Sequence, residues 1–149
     1  MRIIVALGKA VVISAFAFLA GCASVNKAPA EADTAAKTFQ PKAGVAQVYV
    51  YRNETMGAAL SMPVTVDGKL AGNTGPKSYF KFDLAPGKHR ITSQGDGSVL
   101  DLDTEGGKLY FVWQEVKMGM MSGGSKLQLV DAEQGKKGVS ECSLIQASP

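Results

Sequence analysis

From position 45 onward, apolar residues fall in short runs that alternate with polar ones, and Gly, Pro and Asp separate the runs. A strand sends successive side chains to opposite faces. In Ala46–Arg52 (AQVYVYR), Val48 and Val50 therefore share one face, with Tyr49 and Tyr51 on the other. Pro63–Val66 leads into Asp67-Gly68, a strong two-residue hairpin signal, and Lys69–Gly72 returns from it. Ser78–Leu84 (SYFKFDL) sets Phe80, Phe82 and Leu84 against Lys81 and Asp83. After Ala85-Pro86-Gly87 the chain returns through Lys88–Gln94 with Ile91 inward. Val99–Thr104 places Leu100 and Leu102 opposite Asp101 and Asp103. Gly106-Gly107 turns into Leu109–Lys117 (LYFVWQEVK), which is apolar on both faces over its first half. That pattern predicts a central strand covered on both sides. Lys126–Asp131 adds a last strand with Leu127 and Leu129 inward.

The pattern then changes period. Asp131 and Gln134 have the spacing of a helix N-cap and its reciprocal partner. Val139, Cys142 and Ile145 recur at helical spacing, which predicts a short C-terminal helix burying Cys142. Gly135 and Gly138 weigh against that helix, because glycine is a poor helix former. Residues 45–149 are thus expected to form one all-β domain: an antiparallel β-sandwich or small barrel of about seven or eight short strands.

The first 44 residues behave differently. Arg2 and Lys9 flank the start of the chain, and Ala10–Ala20 (AVVISAFAFLA) is an uncharged apolar run of 11 residues. A membrane span needs roughly 20, so the run suits the core of a cleaved export signal. Leu19-Ala20-Gly21-Cys22 resembles the lipobox of bacterial lipoproteins. The resemblance implies a signal peptide over 1–21, cleavage before Cys22, a diacylglycerol on the Cys22 thiol and a further acyl chain such as palmitate on the new amino group. A single acyl chain binds a membrane only marginally, whereas two or more make a lasting anchor. Ala23 and Ser24 follow, rather than the Asp that favours inner-membrane retention in that family. The periplasmic face of the outer membrane is the expected address. Residues 22–44, rich in Ala, Pro and Lys, show little apolar periodicity. They read as the lipidated N-terminus and a flexible tether of about 25 Å root-mean-square length. A helix over Ala30–Lys37 would be marginal alone.

Charge adds an exclusion. Loss of residues 1–21 takes Arg2 and Lys9 and no acidic residue, lowering the formal charge from +3 to +1. No clustered basic face suggests nucleic acid as a partner. With Cys22 lipidated, Cys142 has no partner for an internal disulfide, and burial is its expected fate.

Several segments resemble, in order and spacing, the bacterial family known as domain of unknown function 2846. They are Val48-Tyr49-Val50-Tyr51-Arg52, Val66-Asp67-Gly68-Lys69, Ser78-Tyr79-Phe80, Ala85-Pro86-Gly87-Lys88-His89, Val116-Lys117-Met118-Gly119 and Lys126-Leu127-Gln128-Leu129-Val130. The resemblance covers roughly residues 45–145 and implies no activity. Val64–Gln94 is also similar to the PEGA-type surface repeat, a small β module of cell surfaces. The matching residues are turn formers and strand fillers.

Candidate chemistry is sparse. Asp101, Asp103, Glu105 and Gly106 sit at calcium-loop positions, but Val112 stands where a bidentate Glu is needed. A strand with an acidic solvent face is the better reading. Met118, Met120 and Met121, with Met56 or Met62, offer thioethers to Cu(I), or else line a hairpin loop. His89 has Asp83 and Ser93 near in sequence but no nucleophile motif, and reads as a rim residue beside a turn. Gly95-Asp96-Gly97 reads as a turn. Tyr49, Tyr51 and Trp113 are candidates for an aromatic binding surface, or for core. No cofactor or metal is required. The preferred function is a non-enzymatic, lipid-anchored binding module of the cell envelope that recruits a protein or glycan. The alternatives are a periplasmic small-ligand-binding or lightly catalytic protein with a pocket in the sheet and, more weakly, Met-based copper binding.

Overall fold

The computed structural model describes residues 25–119 and 123–149. Leu19, Ala20, Gly21 and Cys22, together with Met120 and Met121, lie outside the described residues. The elements run α1 (Ala30–Ala36), β1 (Ala46–Arg52), β2 (Met62–Val66), β3 (Lys69–Thr74), β4 (Ser78–Leu84), β5 (Gly87–Thr92), β6 (Val99–Thr104), β7 (Leu109–Met118), β8 (Gly123–Val130), α2 (Ala132–Ser140) and β9 (Ser143–Leu144). They build a sandwich rather than a closed barrel: a five-stranded sheet ordered β8-β7-β1-β4-β9 over a four-stranded sheet ordered β3-β2-β5-β6.

The period-two pattern accounts for the layers. Val48, Val50, Phe80, Val112 and Leu127 from the first sheet meet Val64, Ile91 and Leu102 from the second in one buried cluster. The opposite face of the first sheet carries Tyr49, Tyr51, Tyr79 and Phe111; Ala36 of α1 and Val139 of α2 cover it, with Cys142 just past the end of α2. β7 is covered on both faces, as its doubly apolar sequence predicts. Asp67 (φ 51°) and Gly68 (φ 81°) take the left-handed conformations of a tight hairpin turn. The side chain of Asp131 accepts a bond from the Gln134 amide at 2.8 Å and so caps α2 as expected.

Pairing is antiparallel except at β1–β7 and β4–β9, which are parallel. Parallel neighbours need a crossover connection. Between β1 and β7 that connection contains the whole second sheet.

The structure corrects three expectations. The tether does not extend to residue 44, because α1 docks on the first sheet and Lys27 bridges to Ile145. Leu129 is 52% exposed rather than inward. Ile145 lies beyond α2 and enters the inter-sheet core instead of the helical layer.

Candidate functional site

The aromatic layer comes first. Tyr49 and Tyr51 are each 1% exposed, so they belong to the core and cannot form a binding surface. The Tyr49 hydroxyl donates to the Ala36 carbonyl at 2.8 Å, and burial pushes its pKa up to about 12. Burial likewise pushes Tyr51 up to about 12. Tyr51 and Phe111 sit under α2, whose approach depends on glycine. A Cβ at Gly135 would fall 2.2 Å from Phe111 Cγ, and one at Gly138 would fall 2.2 Å from Tyr51 Cε2. Trp113 is half-buried on the same face.

The end of β1 holds a buried cation. Arg52 is 0% exposed; its guanidinium donates to the carbonyls of Leu60 (2.7 Å), Thr74 (3.1 Å) and Gly57 (2.8 Å). It therefore pins the 53–61 loop to the sandwich. Burial lowers its pKa, and the nearby Glu54 charge opposes that. Glu54 Oε2 and Trp113 Nε1 are buried short of hydrogen-bonding geometry among the described residues, and burial raises the Glu54 pKa. From sequence, Arg52 is simply the last residue of a strand.

Of the methionines proposed above, Met56, Met62 and Met118 are among the described residues. Met56 (57%) and Met118 (58%) are exposed, whereas Met62 (1%) is core. Asp101 is taken by Arg90 through bonds of 2.7 and 3.0 Å, and Glu105 pairs with Lys108 at 2.7 Å. No group of three or more His, Cys, Asp or Glu among the described residues is arranged to hold a metal ion. His89 contacts neither Asp83 nor Ser93. Its Nδ1 faces Asp67 Oδ2 at 2.6 Å and its Nε2 faces the Ala85 carbonyl at 2.6 Å. The bonds to Asp67 and Ala85 raise its pKa. Asp67, bonded by His89 and the Arg90 amide, has its pKa lowered. The group staples the β2–β3 turn to β5. Cys142 is buried; its thiol lies 3.3 Å from the Gly138 carbonyl, and burial pushes its pKa up to about 12.

The remaining feature is the β9/β3 edge, where both ends of the described chain meet. The Ala28 amide donates to Leu144 O (2.9 Å), the Gln146 amide to Asn26 O (2.9 Å) and the Ser148 amide to Ala71 O (2.6 Å). Val25 packs against the inter-sheet core. Just behind, Asp33 accepts from the Tyr79 hydroxyl (2.7 Å), Lys37 Nζ (2.9 Å) and the Leu144 amide (3.1 Å). Burial opposes its ionisation, but these bonds prevail and its pKa is lowered. Beside this seam an open apolar groove of about 400 Å³ is lined by Val66, Leu70, Ala71, Phe82, Leu84 and Ala147. No helix among the described residues is long and apolar enough to cross a membrane.

Comparison with known proteins gives a family and no activity. A protein of Haemophilus influenzae (strain ATCC 51907 / DSM 11121 / KW20 / Rd), described as "Uncharacterized protein", is 34% identical over 139 residues, covering 91% of this chain and 83% of its own. No solved structure matches. Residues 42–125 match the family described as "Protein of unknown function (DUF2846)". That span runs from the entry into β1 to the start of β8, and on it, together with the Haemophilus relative, the chain belongs to this family.

Proposed function

We propose that the protein is a lipid-anchored, non-enzymatic module of the bacterial envelope, held on the periplasmic side of the outer membrane and contacting an envelope protein or glycan. One observation carries the reading. Leu19-Ala20-Gly21-Cys22 closes a basic, then apolar, export-like segment, and three residues later Val25 already packs on the inter-sheet core. Cys22 is the residue with a defined chemical fate: thioether attachment of diacylglycerol, then acylation of its amino group. The remainder is a filled two-sheet core with one outer layer, which suits a scaffold that presents surface. The likeness of Val64–Gln94 to the PEGA-type surface repeat points the same way. With Tyr49 and Tyr51 buried, contact with a partner falls to other residues of the surface. Metabolic labelling with palmitate tests the anchor. The parent protein incorporates label and fractionates with membranes, and Cys22→Ser does neither. Label persisting in Cys22→Ser would refute the reading.

A further inference from the structure

Given the anchor at Cys22, the β9/β3 edge determines how the domain sits on the membrane. Val25 already packs on the core, and Asn26 and Ala28 are hydrogen-bonded into the edge. Only Ala23 and Ser24 separate Val25 from Cys22. Three residue steps reach at most about 11 Å. The headgroup layer of one leaflet is itself roughly 5–8 Å thick. A domain on so short a leash cannot stand clear of the lipid.

We propose that the β9/β3 edge is a membrane-seating surface: the domain rests on the phospholipid headgroups through Asn26, Lys27, Lys69, Leu70, Asn73 and Gln146. The chemistry of the edge fits that occupant. Lys27 and Lys69 are exposed, and neither is in an ion pair among the described residues, so both are available to lipid phosphates. Leu70, 50% exposed at the mouth of the apolar groove, presents hydrocarbon at the same level. The opposite edge, β8 and β6, is then held away from the lipid. Four strand spacings separate β9 from β8, or about 19 Å.

This proposal rests on lipidation of Cys22, and the test separates the two. Full-length lipidated protein is placed in vesicles of phosphatidylethanolamine and phosphatidylglycerol containing a lipid with a nitroxide on its headgroup. Single cysteines for a fluorophore are introduced as Asn73→Cys and Gln146→Cys near the seam, and as Asp103→Cys and Lys126→Cys on the far edge. The unsubstituted protein gives the labelling background of buried Cys142. Acyl mass and vesicle flotation report the anchor. Quenching severalfold stronger at positions 73 and 146 than at 103 and 126 supports the seating. Equal quenching at all four in protein that floats overturns the seating and leaves the anchor standing. Protein with neither acyl mass nor flotation overturns the anchor, and the seating with it. In a second arm, about 20 Gly/Ser residues between Ser24 and Val25 lengthen the leash to roughly 25 Å root-mean-square. Flotation is retained and quenching at 73 and 146 drops to the far-edge level. Unchanged quenching there would overturn the short leash as the cause.

Discussion

Replacing Gly138 with Ala sets two effects against each other in one side chain. Ala is the better helix former by about 1 kcal/mol, so a solvated α2 would gain stability. Gly138, however, faces the first sheet, where the new Cβ would lie 2.2 Å from Tyr51 Cε2 and 2.6 Å from Tyr51 Cζ. Carbon atoms prefer separations of about 3.5–4.0 Å, so more than an ångström must be found. Tyr51 has little room to yield, being 1% exposed. The helix must lift instead, and Val139 (0% exposed) and Cys142 (3%) lift with it. Overpacking of this kind costs about 1–3 kcal/mol. Near the upper end of that range, the net destabilisation is about 2 kcal/mol after the helix gain is deducted. Urea unfolding followed by circular dichroism reads it directly. With a slope of about 1–3 kcal/mol per molar, the midpoint falls by roughly 1 M. Lys137→Ala, on the exposed side of the same helix, is the control and changes stability by less than about 0.5 kcal/mol. A midpoint for Gly138→Ala equal to or above the parent's would refute the seating of α2 on Tyr51.

Three further outcomes are expected. Asp33→Ala leaves the buried Tyr79 hydroxyl and the Leu144 amide without their acceptor and lowers stability by about 2 kcal/mol in urea. Because the folded pKa of Asp33 is lowered, its contribution is present above the unfolded value near about 3.9 and is lost as pH falls through the folded value. His89 has the opposite sign: its folded pKa is raised, so its contribution is complete below about pH 6.5 and is lost as pH rises through the folded pKa. Urea midpoints measured from acid to alkaline pH should fall across that window in the parent and stay flat in His89→Gln; a parallel fall in both would contradict the staple. Cys142, with its thiol pushed up to about 12, should react with Ellman's reagent at pH 8 only as fast as the domain opens, and rapid labelling of native protein would count against burial under α2.

Strand positions were legible because alternation with a period of two needs no knowledge of neighbours. Ser78–Leu84 and Val99–Thr104 match their expected bounds. Partner choice has no such signature. Val48 and Tyr49 read the same whether β7 runs parallel or antiparallel beside them. The same limit left Tyr49 and Tyr51 open between binding surface and core: their shared face was evident, but its cover comes from helices at both ends of the described chain. The helix α1 was anticipated over Ala30–Lys37, but its docking was hidden for a different reason. Its attachment rests on Ala36, the Ala36 carbonyl and the Asp33 carboxylate, which leave no apolar stripe. Gly135 and Gly138 misled because propensity scores a helix in solution, whereas here a missing Cβ is what admits the helix to the sheet. For the site, the proposal at Cys22 rests on its neighbours in sequence alone. The β9/β3 edge was not legible in sequence, since residues 26–28 take their hydrogen-bond partners from residues more than a hundred positions away.

That last separation bears on how the domain is completed. Residues 26–28 are held by the segment around 144–146, and the 148 amide closes onto β3. Closing such a long loop costs entropy that local contacts cannot offset early, so this seam is a late event in folding. On the proposed export and anchor, the residues next to Cys22 would emerge first and wait for the last few to arrive. Until they do, residues 26–28 lack the partners that hold them at the edge, and on the proposed anchor the half-made domain would swing away from the lipid. On the proposed anchor and seating, completion of the C-terminus would act as a drawstring that shortens the leash, so that a molecule cut short before Ser143 would be anchored like the finished one yet float at a different height above the membrane.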